Sequence, residues 1–176
     1  MRRTPDIISA ARGQWKEIHP ELDTSSMEII GRVFRTAALL RQRLDTVLGD
    51  EGLNRAEFDL LSALRRSGEP VTPGRLNGLM VASGAATTKR VQQLAERGLL
   101  ERVRDQHDRR SARVRITDHG AELIDRAFAR NLEAERELLA GMNAKQREAV
   151  SGGLAELLRS LEGPPAPAPP APSQPD

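Results

Sequence analysis

The sequence predicts a mainly α chain carrying one small β-hairpin. Three observations point there. Most of its 176 residues place apolar side chains at helical spacing. Two short alternating segments bracket the turn-prone run Asp105-Gln-His-Asp-Arg-Arg-Ser111. Finally, Pro20, Gly49 and Gly98 fall where the periodic stripes stop. At this length one folding unit, or two small lobes sharing a core, is the default.

The elements follow in order. Ile7, Ala11, Trp15 and Ile18 form a stripe that ends at Pro20, a short amphipathic helix. Ser25-Ser-Met-Glu28 has the form of a capping box. Ile30, Val33, Ala37, Leu40, Leu44 and Val47/Leu48 then carry a long packing helix to Gly49. A third helix runs from about Asn54 to Arg66 and stops at Ser67-Gly68. Thr72-Pro-Gly74 opens a short helix through Met80, with Pro at the first turn, where a missing N–H costs nothing. The helix from Ser83 to Arg97 is closed by Gly98 as a C-terminal cap. Leu99-Leu-Glu-Arg-Val-Arg104 and Arg113-Val-Arg-Ile116 are the hairpin strands. Two helices return after Thr117, one carrying Leu123/Ile124, Ala127/Phe128, Leu132 and Leu138/Leu139. The other, capped at Asn143, carries Val150, Leu154, Leu157/Leu158 and Leu161. The run from Gly163 to Asp176 is proline-rich and predicts an extended, disordered tail.

Gly152-Gly153 inside the last helix cost about 1 kcal/mol each relative to Ala, so packing must outweigh them. With three Phe, one Trp and no Tyr, the terminal helices have few large anchors within one chain. Their stripes are best satisfied against a second copy, so a homodimer is expected. The domain plan is then residues 1–50 for an extra helix and a dimerisation helix, 51–118 for the central block, 119–162 for C-terminal dimerisation helices, and 163–176 for the tail.

Several classes are excluded or unsupported. The chain has no cysteine, which removes disulfides, thiolate zinc sites and thiol sensors together. No apolar run approaches the ~20 residues of a membrane span, and the N-terminus is unlike a signal peptide, so a cytoplasmic protein without membrane contact is expected. His19, His107 and His119 lack the spacing of a zinc pair or the context of a triad, and no phosphate-cradling glycine loop or nucleophile elbow is present. No enzyme, metal site or cofactor is expected.

Helix, short helix, glycine-closed helix and hairpin, in that order, make a winged helix-turn-helix. The net charge of +2 conceals a basic side that is nearly all Arg, the residue suited to forked contact with phosphate and guanine. The first turns of the helix at Ser83, with Thr87, Thr88 and Lys89, are small or hydroxylated and allow close approach to a major groove. On the hairpin, Arg104, Arg109, Arg110 and Arg113 suit phosphates and the neighbouring minor groove, with Asp105 and Asp108 bracing the arginines. Double-stranded DNA is therefore the expected partner. A winged helix that binds only protein is the rival reading, and the basic surface, which also includes Arg115, weighs against it.

Asp105-x-x-Asp108-Arg109-Arg110 followed by Val114-x-Ile116-Thr117-x-x-Gly120 resembles the wing signature of the MarR family, regulators of bacteria and archaea. The likeness covers roughly Ser26 to Leu161. It implies a dimer of winged helices on a pseudo-palindromic operator, usually repressing transcription until a small molecule binds. Within that family the chain is similar to a urate-responsive subgroup with an additional N-terminal helix, whose four-residue pattern matches Trp15, Asp59, Arg90 and Arg102. That likeness implies a small anionic aromatic effector, urate or similar. Trp15 would offer a flat face, and Arg90 and Arg102 forked donors. Asp59 would pair with an arginine in the empty protein. Plainer roles stay open: Trp15 as the anchor that docks the first helix onto the dimer, Asp59 as a buried ion-pair member with Arg102 as partner, Arg90 as a phosphate contact. A different phenolic effector is the alternative.

Overall fold

The computed structural model describes residues 5–72, 74–76, 87–104 and 112–163. In chain order the elements are α1 (Ile7–Ile18), α2 (Met27–Asp50), α3 (Arg55–Ser67), α4 (Thr87–Glu96), β1 (Leu100–Arg104), β2 (Ala112–Ile116), α5 (Asp118–Leu138) and α6 (Ala144–Glu162). Residues 74–76 form a helical turn closed by the Leu76 N–H on the Thr72 carbonyl at 3.0 Å. The remainder of the short helix expected through Met80, the first turn of the helix expected at Ser83 and the proline-rich tail after Gly163 lie outside the described residues. By its internal contacts the chain divides into residues 1–134 and 135–176, so α5 begins in one unit and ends in the other.

Local chemistry sets most helix boundaries. Asp6 caps α1 by accepting from the Ser9 N–H at 2.8 Å. Asn54 and Glu57 make a reciprocal capping box on α3, and Asn143 and Gln146 make another on α6. The capping box expected at Ser25–Glu28 does not form. Ser26 precedes α2 in an α-helical conformation with no side-chain cap. Ser25 is instead turned toward Asp23, to which its N–H donates at 2.8 Å, while Glu28 pairs with Arg12 of α1. The docking of α1 on α2 took the carboxylate that the box required. Arg32 of α2 completes that junction, donating to Asp6 at 2.8 Å and to Ser9 Oγ at 2.9 Å, and it holds the Asp6 carboxyl at a pKa of about 2.

The two strands pair antiparallel, Leu100 opposite Ile116 and Arg102 opposite Val114. Val71 adds an isolated bridge on the far side of β2, exchanging backbone hydrogen bonds with Val114 at 3.0 and 2.8 Å. This places Leu100 and Val114 over one core with Leu48, Leu53, Leu60, Leu61, Leu64, Leu76, Val91, Leu94, Leu99, Leu123 and Ile124. Each such side chain contributes roughly 1.5–3 kcal/mol when fully buried. The apolar faces of α2, α3 and α4 that the periodicity predicts converge here, but only near the C-terminal end of α2. Upstream, Ile29, Ile30, Phe34, Leu39 and Leu40 remain exposed.

The hairpin is joined to α5 by a close approach. Thr117 receives on its hydroxyl the Gly120 N–H at 3.1 Å and donates that hydroxyl to the Gly98 carbonyl at 2.7 Å, while its own N–H reaches the Leu99 carbonyl at 3.1 Å. A Cβ on Gly120 would sit 2.2 Å from the Leu99 carbonyl oxygen. Gly98 supplies the left-handed residue, φ 71°, that turns the chain from α4 into β1. Gly120→Ala should therefore lower stability by about 1–3 kcal/mol or more, whereas Gly49→Ala, with open space around its Cβ, should change it by less than about 1 kcal/mol. Urea unfolding of the two variants measures the difference.

Candidate functional site

On α4 the residues Thr87, Val91 and Leu94 are buried, and Thr88 and Lys89 face solvent. The helix thus divides at spacing i, i+4, i+7 into a core side and a polar side. Thr87, expected among the groove contacts, falls on the core side at 5% exposure and does not share the outward surface. Gln92 and Gln93, which the sequence reading passed over, are exposed one turn beyond Thr88 and Lys89. The same i+4 spacing would have found them. Arg97 steadies the end of α4 by donating to Glu57 Oε1 at 3.1 Å and to the Gly52 carbonyl at 2.8 Å.

On the wing, Arg115 pairs across the strands with Glu101 at 2.7 Å. Arg113 donates to the Pro70 carbonyl at 3.4 Å, which ties it to the base of the wing. Of Arg104 only the backbone is described. Ser83, Arg109 and Arg110 lie outside the described residues, as do Asp105 and Asp108.

A charged cluster joins α2, α3 and α5. Arg55 of α3 places its guanidinium 3.9 Å from Asp59 Oδ1 one turn ahead, 4.0 Å from Asp45 Oδ1 on α2, and 3.3 Å from Asn131 Oδ1 on α5. Its Cζ stands 5.2 Å over the Phe58 ring. Asn131 is buried, and Asp45 Oδ1 is buried with no hydrogen-bond partner. The Asp59 side chain is 13% exposed. Burial raises its pKa above the ordinary Asp value, and the cations Arg55, Arg66 and Arg90 oppose that shift only in part.

The four residues of the expected effector pattern are not brought together. Asp59 and Arg90 feel one another's charge across α3 and α4. Trp15 is 49% exposed and stacks on His19 at 6.0 Å, beside a groove of about 320 Å³ lined by Leu22, Thr24 and Met27. Within the single chain α1 has no buried residue, and it is half-buried Ile8, packed against Gly31, that meets α2. Arg102 is exposed on β1 and, among the described residues, is not one of the cations that act on Asp59. The expected Asp59–Arg102 pair is replaced by Asp59–Arg55 because Arg55 stands at i−4 on the same helix, where side chains meet without any long-range folding.

One turn past Asp59, a pocket of about 200 Å³ lies between α3 and α5, lined by Ser62, Arg65, Arg66, Ile124, Asp125 and Phe128. Ser62 Oγ is buried there without a hydrogen-bond partner. Arg65 bridges its rim to Asp125 at 2.9 Å. No group of His, Asp or Glu suited to a metal ion occurs among the described residues, and none of their helices is long and apolar enough to cross a membrane.

Comparison with known proteins gives a consistent result. The model of the MarR family matches residues 51–111. The HTH-type transcriptional regulator PecS of Dickeya dadantii is 32% identical over 136 residues, 76% of this chain and 82% of that protein. Among solved structures, a mutant MarR from E. coli complexed with operator DNA superposes with a TM-score of 0.65 at 21% identity, covering 78% of this chain and 99% of that one. The organohalide-sensing regulator RdhR in its 2,4-dichlorophenol-bound form gives a TM-score of 0.70 at 14% identity, covering 92% and 88%. At these identities the two structures establish the fold.

The raised pKa of Asp59 has a stability consequence. A carboxyl that binds its proton more tightly when folded loses stability as pH rises from the ordinary Asp value, 3.8, through its raised folded value, and the penalty is constant above that. Asp59→Asn should remove this slope. Its melting temperature relative to wild type should rise with pH across that acid window and then level off; a difference independent of pH would contradict the assignment.

Proposed function

The chain belongs to the MarR family of transcriptional regulators, and from that premise we propose that it binds a pseudo-palindromic DNA operator as a homodimer and releases it when a small anionic aromatic molecule binds. The observation that carries the reading is the polar side of α4, with Thr88 and Lys89 outward and Arg90 half-buried beside Asp59. A groove-reading surface and a charge-sensing residue thus share one helix.

In this reading Ser83, Thr88 and Lys89 enter the major groove, Arg109 and Arg110 reach the minor groove, and Arg104 and Arg113 flank them at the backbone. Dimerisation uses residues 1–50 and 119–162. Supporting this, α2 and α6 each carry apolar residues left open in the single chain, Phe34 and Leu39 on one, Val150, Leu154, Leu158 and Leu161 on the other. A repressor is the expected output, since an anion drawn to Arg90 pulls the reading helix away from its groove. Urate is the effector proposed on the pattern Trp15, Asp59, Arg90 and Arg102. A phenolic anion is the second reading, favoured by the Ile124 and Phe128 walls and the unpartnered Ser62 hydroxyl of the pocket beside Asp59.

Two measurements test this. Affinity for a duplex selected from a random library should fall linearly with the logarithm of salt concentration, and Arg110→Ala should weaken it without lowering the melting temperature. Unchanged affinity in that variant would remove the wing from the interface. For the effector, urate should bind by isothermal titration and release the duplex, and Arg90→Ser should blunt both responses. Binding of urate with wild-type affinity to the Ser variant would transfer the site elsewhere, with 2,4-dichlorophenol as the next ligand to titrate.

A further inference from the structure

Asp59 has two sources of positive charge, and they lie on opposite sides of the question of DNA affinity. Arg55 is on its own helix, one turn back, and belongs to the cluster that joins α2, α3 and α5. Arg90 is on the reading helix α4. The geometry shows which of them is held. Arg55 is fixed by four independent contacts: Asp45, Asp59, the buried Asn131 amide oxygen and the Phe58 ring. Two of these are carboxylates at about 4 Å rather than hydrogen bonds at 2.9 Å, so one guanidinium is divided between two anions. Among the described residues, the charged groups that act on Asp59 are Asp45 from α2, Arg55 and Arg66 from α3, and Arg90 from α4.

We propose that Arg55 is a positioning residue that competes with Arg90 for Asp59, and that by engaging Asp59 it leaves Arg90 and α4 free to lie in the groove. This rests on the DNA-binding reading above and adds the residue that sets the affinity of the effector-free protein. Asp45 tunes the competition, because it draws the same guanidinium away from Asp59. Without Arg55, Asp59 is a mostly buried carboxylate whose remaining nearby cations are Arg66, which is two turns along its own helix and lines the pocket between α3 and α5, and Arg90 on α4, so the burial cost draws on Arg90. Arg90 then turns inward, and the reading helix loses a phosphate contact. The same displacement is the one an anionic effector would cause, so loss of Arg55 mimics the ligand-bound state.

The test is a double-mutant cycle on the full chain, using the duplex selected by the wild-type protein. Arg55→Gln should lower duplex affinity about fivefold or more, within the usual range of coupling between sites. It should also make the dependence on salt shallower by about one counterion, reporting a lost phosphate contact. Adding Asp59→Asn to Arg55→Gln should return affinity to within about threefold of wild type, because the competing anion is gone. A merely structural role for Arg55 would also be relieved by removing the unpaired carboxylate, but it predicts the wild-type salt slope in Arg55→Gln. Unchanged affinity in Arg55→Gln, or a loss that persists in the double variant, overturns the inference while leaving the DNA-binding reading intact. Failure of the wild type to select any duplex would bring down that reading first. Should Arg55→Gln fail to fold, Asp45→Asn carries the test: it gives Asp59 the whole of Arg55 and should tighten binding, and equal or weaker binding would overturn the proposal.

Discussion

A guanidinium can answer several acceptors at once, and this fold relies on that property at several junctions between its described helices. Arg12 and Arg32 fasten α1 to α2. Arg55 links α2, α3 and α5, Arg65 links α3 to α5, and Arg97 joins the end of α4 to the start of α3. Arg130 reaches from α5 to Glu51 and Asp50 at the end of α2, at 2.7 and 3.2 Å. Most of these pairs are half exposed, where solvent screens an ion pair and leaves it little net stabilisation. The stability is therefore in the aliphatic core, and the arginines choose among the orientations that core would tolerate. A core of Leu, Val and Ile with few aromatic rings is nearly isotropic, so directional contacts at its rim decide how the helices cross.

The same fact changes the meaning of the composition. An excess of arginine suggested a surface directed at phosphate, yet most arginines of the described residues are turned to carboxylates or carbonyls of their own chain. Even on the wing, Arg115 is paired with Glu101 and Arg113 leans on Pro70. What identifies the outward face of α4 is the absence of such bracing at Thr88 and Lys89, together with burial of Thr87, Val91 and Leu94 on the other side.

Elements written by local rules were legible in the sequence. The Asn143 cap, the Gly98 turn and the alternation of β1 and β2 each depend on residues a few positions apart, and each forms as read. Features settled by residues distant in sequence were not. Glu28 fits a capping box by spacing, but Arg12, sixteen residues earlier, takes it. Val71 reads as part of a connection, yet pairs with Val114 and completes the sheet. The pocket residues Ser62 and Phe128 gave no signal, since Phe128 looks like an ordinary member of its stripe and Ser62 like a polar residue beside one. Arg55 is the instructive case: its link to Asp59 follows from i, i+4 spacing, whereas its links to Asp45 and Asn131 exist only once three helices meet.

The character of the Arg55 cluster follows from its distances. A hydrogen bond loses most of its value within a fraction of an ångström, so a site built from short bonds is either made or broken. Charges about 4 Å apart in a partly buried setting interact strongly and vary smoothly with separation. Burial of Asp59 supplies the other half, because desolvation keeps its charge costly and hence responsive to whichever cation is nearest. A tightly bonded Asp59 would fix α3 and α4 permanently, and a solvated one would be screened from both. The intermediate arrangement leaves a single carboxylate sensitive to the positions of three helices.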